Sequence, residues 1–315
     1  MRAWASQHFV RLVVAFALGG SFASGQQAVF RADTRLVVCN AAVVDKKGHL
    51  VADLPRTAFT VLENGQPQVI RSFKHEDVPV SLGLVIDNSG SMRDKRVKVI
   101  AASLALVKDS NNQDEVFVVN FNDEAFLDLP NQKDFTNDTT ELEQALGRIE
   151  SHGGTAMRDA IRMAINHING KSHRGKKVLV VVTDGDDNES VSSLEDLVKA
   201  SQQSEVLIYA VGLLSEEEKH SAASARRALT NLTSATGGQA FFPRSVEDVD
   251  RIAHQMAHDI RNQYTIQYSP SNQTMDGTYR RIQITVNAPG KLQIRTRSGY
   301  YATPDFSALP RGGEK

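Results

Sequence analysis

The order of apolar and polar residues divides the chain into two β-rich ends and a central part in which strands and helices alternate. In residues 29–75 short β-rich runs alternate with turns, and residues 63–65 read Glu-Asn-Gly. Asn-Gly tolerates the positive φ angles of a type I′ turn, so this tripeptide predicts a β-hairpin. Residues 264–303 are β-rich again, with turn residues at 270–277 and 287–291.

The central part, residues 78–263, predicts a parallel sheet covered by helices. Continuous apolar runs such as residues 178–182 indicate strands buried on both faces, and apolar residues at three-to-four spacing indicate helices between them. Repeated β-α-β units give an α/β fold with a doubly wound, Rossmann-like open sheet. In the last helix Ser245 is the predicted N-cap, with Asp248 as its carboxylate partner. The predicted strands are 81–87, 115–122, 177–184, 206–212 and 238–243, and the predicted helices cover 97–107, 140–149, 157–168, 193–203 and 246–263.

Neither β-rich end can form an independent core, because each has no more than about 45 residues. We therefore predict that the two ends pair into one small β-sandwich, with the α/β domain inserted between them. The predicted organisation is a signal peptide (1–25), an N-terminal β segment (26–77), the α/β domain (78–263), a C-terminal β segment (264–303) and a tail (304–315).

The N-terminus has the pattern of an export signal. Arg2 and Arg11 precede an apolar run at residues 12–20, and small residues follow. A short buried helix is the alternative interpretation. Export predicts a periplasmic, cell-surface or secreted protein. No stretch reaches the roughly 20 apolar residues of a membrane helix, so none is expected in the mature chain.

Composition restricts the partners and the covalent chemistry. The formal net charge is −1, with 23% charged and 41% hydrophobic residues. Such a balance gives no general attraction to nucleic acid. Cys39 is the only cysteine, so an intrachain disulfide is excluded.

Oxygen-bearing side chains follow the predicted strands at three places. Asp87, Ser89 and Ser91 follow the first strand of the α/β part, Thr155 lies in a glycine-rich loop, and Asp184 ends another strand. In open α/β sheets ligands bind outside the carboxyl ends of the strands. Hard cations such as Mg²⁺ prefer oxygen ligands, whereas zinc and copper favour His and Cys, which are absent from these stretches. Alternatively, the first three residues cap the following helix, although capping does not account for Thr155 and Asp184.

These stretches, "DNSGSM", "GGTA" and "TDGDD", resemble the metal-ion-dependent adhesion site of the von Willebrand factor type A domain. The resemblance covers residues 80 to about 261. It implies direct ligation of Mg²⁺, or alternatively Mn²⁺ or Ca²⁺, by Ser89, Ser91 and often Thr155. Asp87 and Asp184 would bond directly or through coordinated water. The last ligand would be a Glu or Asp of a protein partner.

Two further comparisons refine this resemblance. The run "VSLGLVIDNSGSMRDK" and the β-rich ends resemble exported bacterial proteins of the von Willebrand type A group. Integrin β-chains place two acidic residues after the serines for a second ion. Here these positions are Asp94 and Lys95, so only one of the two acidic residues for a second ion is present.

Other polar residues near these motifs are weaker candidates. Asp186, Asp187 and Glu189 could deepen the negative potential around the ion, or simply form a solvated loop. His152 could gate the site, or be an exposed loop histidine.

The sequence thus predicts an exported protein-binding or adhesion module that uses a divalent cation to coordinate an acidic residue of a partner. A metal-independent structural or assembly subunit of an envelope complex is the alternative. An enzyme is not expected, because the chain lacks a G-x-x-x-x-G-K-[ST] phosphate loop, and the first motif contains neither D-x-D nor G-x-S-x-G.

Overall fold

The computed structural model describes residues 36–215 and 219–303 of the 315-residue chain. The predicted signal peptide and the predicted tail lie outside these residues. The strands are β1 (Val37–Val44), β2 (Phe59–Glu63), β3 (Gln66–Gln68), β4 (Ile70–Lys74), β5 (Val80–Asp87), β6 (Glu115–Phe121), β7 (Ala125–Leu127), β8 (Lys176–Thr183), β9 (Val206–Gly212), β10 (Ala240–Phe241), β11 (Tyr264–Tyr268), β12 (Tyr279–Val286), β13 (Gln293–Arg295) and β14 (Gly299–Tyr301). The helices are α1 (Arg96–Lys108), α2 (Thr139–Gly147), α3 (Met157–Lys171), α4 (Leu194–Gln203), α5 (Lys219–Thr236) and α6 (Val249–Arg261).

A six-stranded sheet forms the centre of the molecule, in the order β10-β9-β8-β5-β6-β7. All neighbouring strands are parallel except β7, which runs antiparallel to β6 at the edge. Apolar side chains of the strands and of the flanking helices form one continuous core. The predicted α/β open sheet is confirmed. The edge strand β7 was not predicted, because it has only three residues, none of them buried.

Two details of the helices differ from the sequence prediction. Helix α5 was not predicted, because its apolar positions are separated by Ser, Thr and Ala residues that weaken the periodic pattern. The last helix begins at Val249, after a 3₁₀ turn at Val246–Asp248. In this tighter turn Ser245 Oγ accepts a hydrogen bond from Glu247 N, so the predicted pairing with Asp248 is wrong.

The β-rich ends of the chain form two antiparallel sheets that share one core. One has the order β13-β1-β11-β4 and the other β14-β12-β2-β3, so each sheet combines strands from before and after the α/β part. The Asn64-Gly65 turn joins β2 to β3 with φ angles of 49° and 81°. The predicted sandwich and its hairpin are therefore confirmed.

Two arginines join the sandwich to the α/β part. Arg295 of β13 donates to both carboxylate oxygens of Asp259 in α6, at 2.9 and 2.7 Å. Arg297 donates to Gln202 O at 2.8 Å and to Ser204 O at 3.4 Å, at the end of α4. Within the described ranges, no helix is both long and apolar enough to cross a membrane.

Candidate functional site

The candidate site lies at the carboxyl ends of β5 and β8, which are adjacent parallel strands. From β5 the chain proceeds to β6 on one side and later returns to β8 on the other side. This reversal creates the crevice in which open α/β sheets bind ligands. Asp87 ends β5 and Thr183 ends β8, and Thr183 Oγ1 donates a 2.6 Å hydrogen bond to Asp87 Oδ2.

Backbone N–H groups of the loop after β5 fix its position by hydrogen bonds to Asp87 and to β6. Ser89 N donates to Asp87 Oδ1 at 2.8 Å, and Asn88 N donates to Phe121 O at 2.7 Å. A 3₁₀ turn at Gly90–Met92 follows. Within this turn the hydroxyl oxygens of Ser89 and Ser91 lie 3.2 Å apart. The D-x-S-x-S spacing therefore places two hydroxyl groups side by side above a buried carboxylate.

Asp184, which follows β8, completes this group. Ser91 Oγ donates to Asp184 Oδ1 at 2.7 Å, and the ammonium group of Lys95 pairs with Asp184 Oδ2. The Asp184 side chain has no exposed surface. Ser89, Ser91 and Asp184, which are distant in sequence, thus form one hydrogen-bonded chain.

Thr155 is buried in the loop before α3, beside the Asp184 loop. Its backbone N donates to Asn188 Oδ1 at 2.8 Å, and Asn188 N donates back to Thr155 O at 3.1 Å. A Cβ on Gly185, the residue after Asp184, would lie 3.8 Å from Thr155 Oγ1. The Thr155 hydroxyl therefore lies next to Gly185, the residue that follows Asp184.

The glycine pair before Thr155 allows the loops to approach closely. Gly153 has a φ of +74°, and a Cβ there would lie 2.1 Å from Asp123 Oδ2. Gly154 N donates to Asp123 Oδ1 at 2.6 Å, and Gly90 N donates to Gly153 O at 3.2 Å. A larger residue at position 153 would collide with Asp123 and push this loop away from the loop after β6.

Burial raises the pKa of Asp87 to about 6, and the negative charge of Asp184 adds to the increase, although hydrogen bonds from Thr183 and Ser89 oppose it. A carboxylate in this environment is stabilised by any nearby positive charge. The ammonium group of Lys95 pairs with the neighbouring Asp184.

The chemistry of the donor set fits a hard divalent cation. The side chains of Asp87, Ser89, Ser91, Thr155 and Asp184 offer oxygen atoms only, and Ser91 can donate its proton to Asp184 while keeping lone pairs for a metal. Across the described part of the chain, no three His, Cys, Asp or Glu side chains are grouped to hold a metal ion. A cation here would therefore depend on hydroxyl groups as well as on the two carboxylates.

The weaker candidates have identifiable structural roles. The Asp187 side chain is buried and accepts hydrogen bonds from Arg158 N at 2.7 Å and from Arg158 Nη2 at 2.8 Å, whereas Glu189 in the same loop is exposed. His152 is exposed, and its Nε2 lies 3.4 Å from Asn122 Nδ2.

Sequence reasoning missed the polar residues that support the site. These are Thr183, which donates to Asp87, Asn188, which bonds the backbone of Thr155, and Asp123, which bonds Gly154. Thr183 could have been found as the residue before Asp184 at the end of a strand. The partners of Asn188 and Asp123 depend on how the loops pack, and no sequence pattern signals them.

Comparison with known protein families gives a match over the α/β part of the chain. The family model of the von Willebrand factor type A domain matches residues 82–255, more than half of the chain. A curated relative, the uncharacterized protein sll0103 of Synechocystis sp., is 28% identical over 111 residues, which are 35% of this chain. The matched part spans only 26% of that relative's length.

Two solved structures match this chain at low identity. The structure described as von Willebrand factor type A from Catenulispora acidiphila matches with a TM-score of 0.50 and 14% identity, over 86% of this chain and 75% of its own. The von Willebrand domain of the type V pili tip protein Mfa5 from Porphyromonas gingivalis matches with a TM-score of 0.46 and 16% identity, over 58% of this chain and 97% of its own.

Proposed function

This chain belongs to the von Willebrand factor type A domain family, and from that premise we propose that it is an exported protein-binding module. In this proposal a divalent cation, Mg²⁺ or alternatively Mn²⁺ or Ca²⁺, is held by Asp87, Ser89, Ser91, Thr155 and Asp184. The bound cation would supply an electrophilic position for a Glu or Asp of a protein partner.

One observation supports the proposal most directly. The hydroxyl oxygens of Ser89 and Ser91 are 3.2 Å apart, and Ser91 is hydrogen bonded to Asp184, 93 residues further along the chain. Helix capping alone would not require this long-range contact. The N-terminal sequence pattern supports export, and adhesion or assembly is the role that we propose for the exported module.

A second candidate function has its own supporting observation. The Lys95 ammonium group already pairs with Asp184, so a positive charge is available without a metal. A metal-independent structural or assembly subunit of an envelope complex would use the same fold for its contacts. In neither function do we assign a catalytic residue.

Titration of the full chain with Mn²⁺, followed by calorimetry, tests the metal site. We expect Asp87→Ala and Ser89→Ala to abolish binding while circular dichroism shows an unchanged fold. Asp94→Ala is the matched control, because it removes the same charge from an exposed position in the same loop. Equal Mn²⁺ binding by wild type and Asp87→Ala would contradict the proposed site.

A pull-down from extracts of the native host separates the two functions. For the metal-bridged module, partners are retained in Mg²⁺, released by EDTA and not captured by Asp87→Ala. For the metal-independent subunit, EDTA and Asp87→Ala leave association intact.

A further inference from the structure

A divalent cation that binds Asp184 would have to share this carboxylate with Lys95. Its ammonium group contacts Asp184 Oδ2, while the other oxygen, Oδ1, accepts the hydrogen bond from Ser91. The Asp184 side chain has no exposed surface, and that of Lys95 is 30% exposed. Both oxygens of this carboxylate are therefore engaged, one of them by a full positive charge.

The backbone around the first motif sets the position of Lys95. Its N donates to Met92 O at 3.0 Å, and its O accepts from Val99 N at 3.1 Å at the start of α1. Lys95 is thus held between the 3₁₀ turn that carries Ser91 and the first turn of the helix. The motif loop therefore fixes the position of Lys95, and the end of β8 supplies its partner Asp184.

The neighbouring basic residues do not share this role. Arg93 Nη2 donates to Ser151 O at 3.3 Å, and Arg96 Nη2 donates to Gly147 O at 2.7 Å. Of the three basic side chains in this turn, Lys95 is the one bonded to a carboxylate of the candidate site. A compact ammonium group suits this place, because it acts as a point charge on a flexible stem that can move away.

We propose that Lys95 is a built-in counter-ion that competes with the divalent cation for Asp184 and thereby sets the metal affinity of the site. This inference rests on the proposed function, since it concerns the same metal site. Without metal, the Lys95 ammonium group balances the negative charge of the Asp184 carboxylate. The cation binds only when the ammonium group is displaced from Asp184 Oδ2. Lys95 therefore weakens metal binding and stabilises the metal-free form.

Calorimetric titration with Mn²⁺ of the full-length chain at constant ionic strength tests the inference. We expect Lys95→Met to bind Mn²⁺ about tenfold more tightly or better, because a nearby positive charge no longer opposes the ion. We expect Lys95→Arg, which keeps the positive charge, to bind Mn²⁺ as weakly as wild type. Lys98→Met is the matched control: it removes the same charge three residues further along, where Lys98 pairs with Glu247, and its affinity should stay within about twofold of wild type.

Thermal unfolding supplies a readout that does not depend on partner binding. In EDTA, Lys95→Met should melt at a lower temperature than wild type and Lys98→Met, because the buried Asp184 carboxylate loses its counter-charge. Mn²⁺ should restore the Lys95→Met melting temperature and change that of wild type much less. If Lys95→Met does not fold, Lys95→Gln, which keeps a hydrogen-bond donor, takes its place.

The outcomes separate this inference from the proposed function. If Mn²⁺ binds wild type and Lys95→Met equally and Asp87→Ala abolishes binding, the competition is refuted while the metal site stands. If Lys95→Met binds Mn²⁺ and wild type does not, the competition is supported. If neither binds, the metal site itself fails, and the inference fails with it.

Discussion

The side-chain amide of Asn88 donates a 2.9 Å hydrogen bond to Asn120 Oδ1, and both side chains are completely buried. Asn88 lies between Asp87 and Ser89 of the first motif, and Asn120 lies on β6. The Asn120 amide in turn donates to Asp128 Oδ2 and to Ala145 O, each at 2.8 Å. The motif loop is therefore attached to the core through a polar network as well as through the buried side chain of Met92.

Replacing Asn120 should consequently destabilise the fold. We expect Asn120→Leu to lower the free energy of unfolding by about 2–4 kcal/mol, because it leaves buried partners in the network without hydrogen bonds. Urea denaturation measures this change. Asn137→Leu, at an exposed position, is the control and should change stability by less than about 0.5 kcal/mol. If both variants lower the free energy of unfolding equally, the hydrogen-bond network of Asn120 does not stabilise the fold.

The contact between Arg295 and Asp259 should be important for the connection between the sandwich and α6. Asp259 also accepts a 2.8 Å hydrogen bond from the Tyr209 hydroxyl, and its side chain is 5% exposed. We expect Arg295→Met to cost about 2–4 kcal/mol in denaturant unfolding, because it leaves a buried carboxylate without its cation.

The control for this prediction is Arg251→Met. Arg251 forms an ion pair with Asp248 in which both side chains are exposed, and such pairs contribute about 0–1 kcal/mol. An Arg295→Met protein as stable as the Arg251→Met protein would mean that the pair of Arg295 with the buried Asp259 does not stabilise the contact.

Much of this architecture follows from general sequence rules. Asp87 and Asp184 were expected to be close, because continuous apolar runs predict parallel strands and the carboxyl ends of parallel strands meet at one edge of the sheet. Pairing of the two β-rich ends followed from their length alone, since neither end can bury a core by itself.

Other features depend on three-dimensional packing. Arg93, Lys95 and Arg96 are equivalent candidates in the sequence, and only the geometry of the 3₁₀ turn directs Lys95 toward Asp184. The network of Asn88 and Asn120 involves residues 32 positions apart on separate elements, and neither belongs to a recognisable pattern. Polar contacts between loops therefore set the limit of what the sequence predicts here.

Glu63 is expected to contribute strongly to the stability of the sandwich core. Its Oε2 accepts hydrogen bonds from the hydroxyls of Tyr268 at 2.7 Å and Tyr300 at 3.0 Å, and its Oε1 lies 3.5 Å from Arg280 Nη1. The side chains of Glu63 and Arg280 are 3% and 2% exposed. We expect Glu63→Gln to lower the free energy of unfolding by about 2–4 kcal/mol, because Arg280 loses its buried counter-charge and keeps only the half-exposed Asp276.

Two comparisons test this prediction by urea denaturation. Tyr300→Phe removes one hydrogen bond and should cost only about 1 kcal/mol. Glu76→Gln alters an exposed pair with Lys74 and should have almost no effect. If Glu63→Gln costs no more than Glu76→Gln, the buried charge pair is not a source of stability.

Lys176 should make stability rise with pH in the alkaline range. Burial lowers the pKa of Lys176 to about 8, and the negative charges of Asp259, Asp77 and Asp114 oppose that shift. Between pH 8 and the ordinary lysine pKa of 10.5, the unfolded chain holds a proton that the folded chain has released, so stability increases as the pH rises.

The difference should amount to roughly 2–4 kcal/mol across this pH range, measured as the unfolding free energy of wild type relative to Lys176→Met. Lys177→Met is the control, because the adjacent Lys177 pairs with Asn169 near the surface. Lys177→Met should keep the wild-type slope, whereas Lys176→Met should lose it. Parallel pH profiles for wild type and Lys176→Met would contradict the shifted pKa.

Asn188 should control metal affinity through the position of Thr155. The two residues exchange hydrogen bonds, since Thr155 N donates to Asn188 Oδ1 and Asn188 N donates to Thr155 O. Only the first of these uses the asparagine side chain. We expect Asn188→Ala to weaken Mn²⁺ binding about tenfold in calorimetric titration, because Thr155 is no longer held beside Asp184, and to change thermal stability little.

Val191→Ala is the matched control for Asn188→Ala. Val191 lies in the same loop and is 95% exposed, so its truncation should not change Mn²⁺ affinity. Asn188→Asp separates geometry from charge: its carboxylate can accept the hydrogen bond from Thr155 N while adding negative charge, so its affinity should equal or exceed that of wild type. If Asn188→Ala and Val191→Ala bind Mn²⁺ equally, Thr155 does not need this support, and its place in the proposed donor set must be reconsidered.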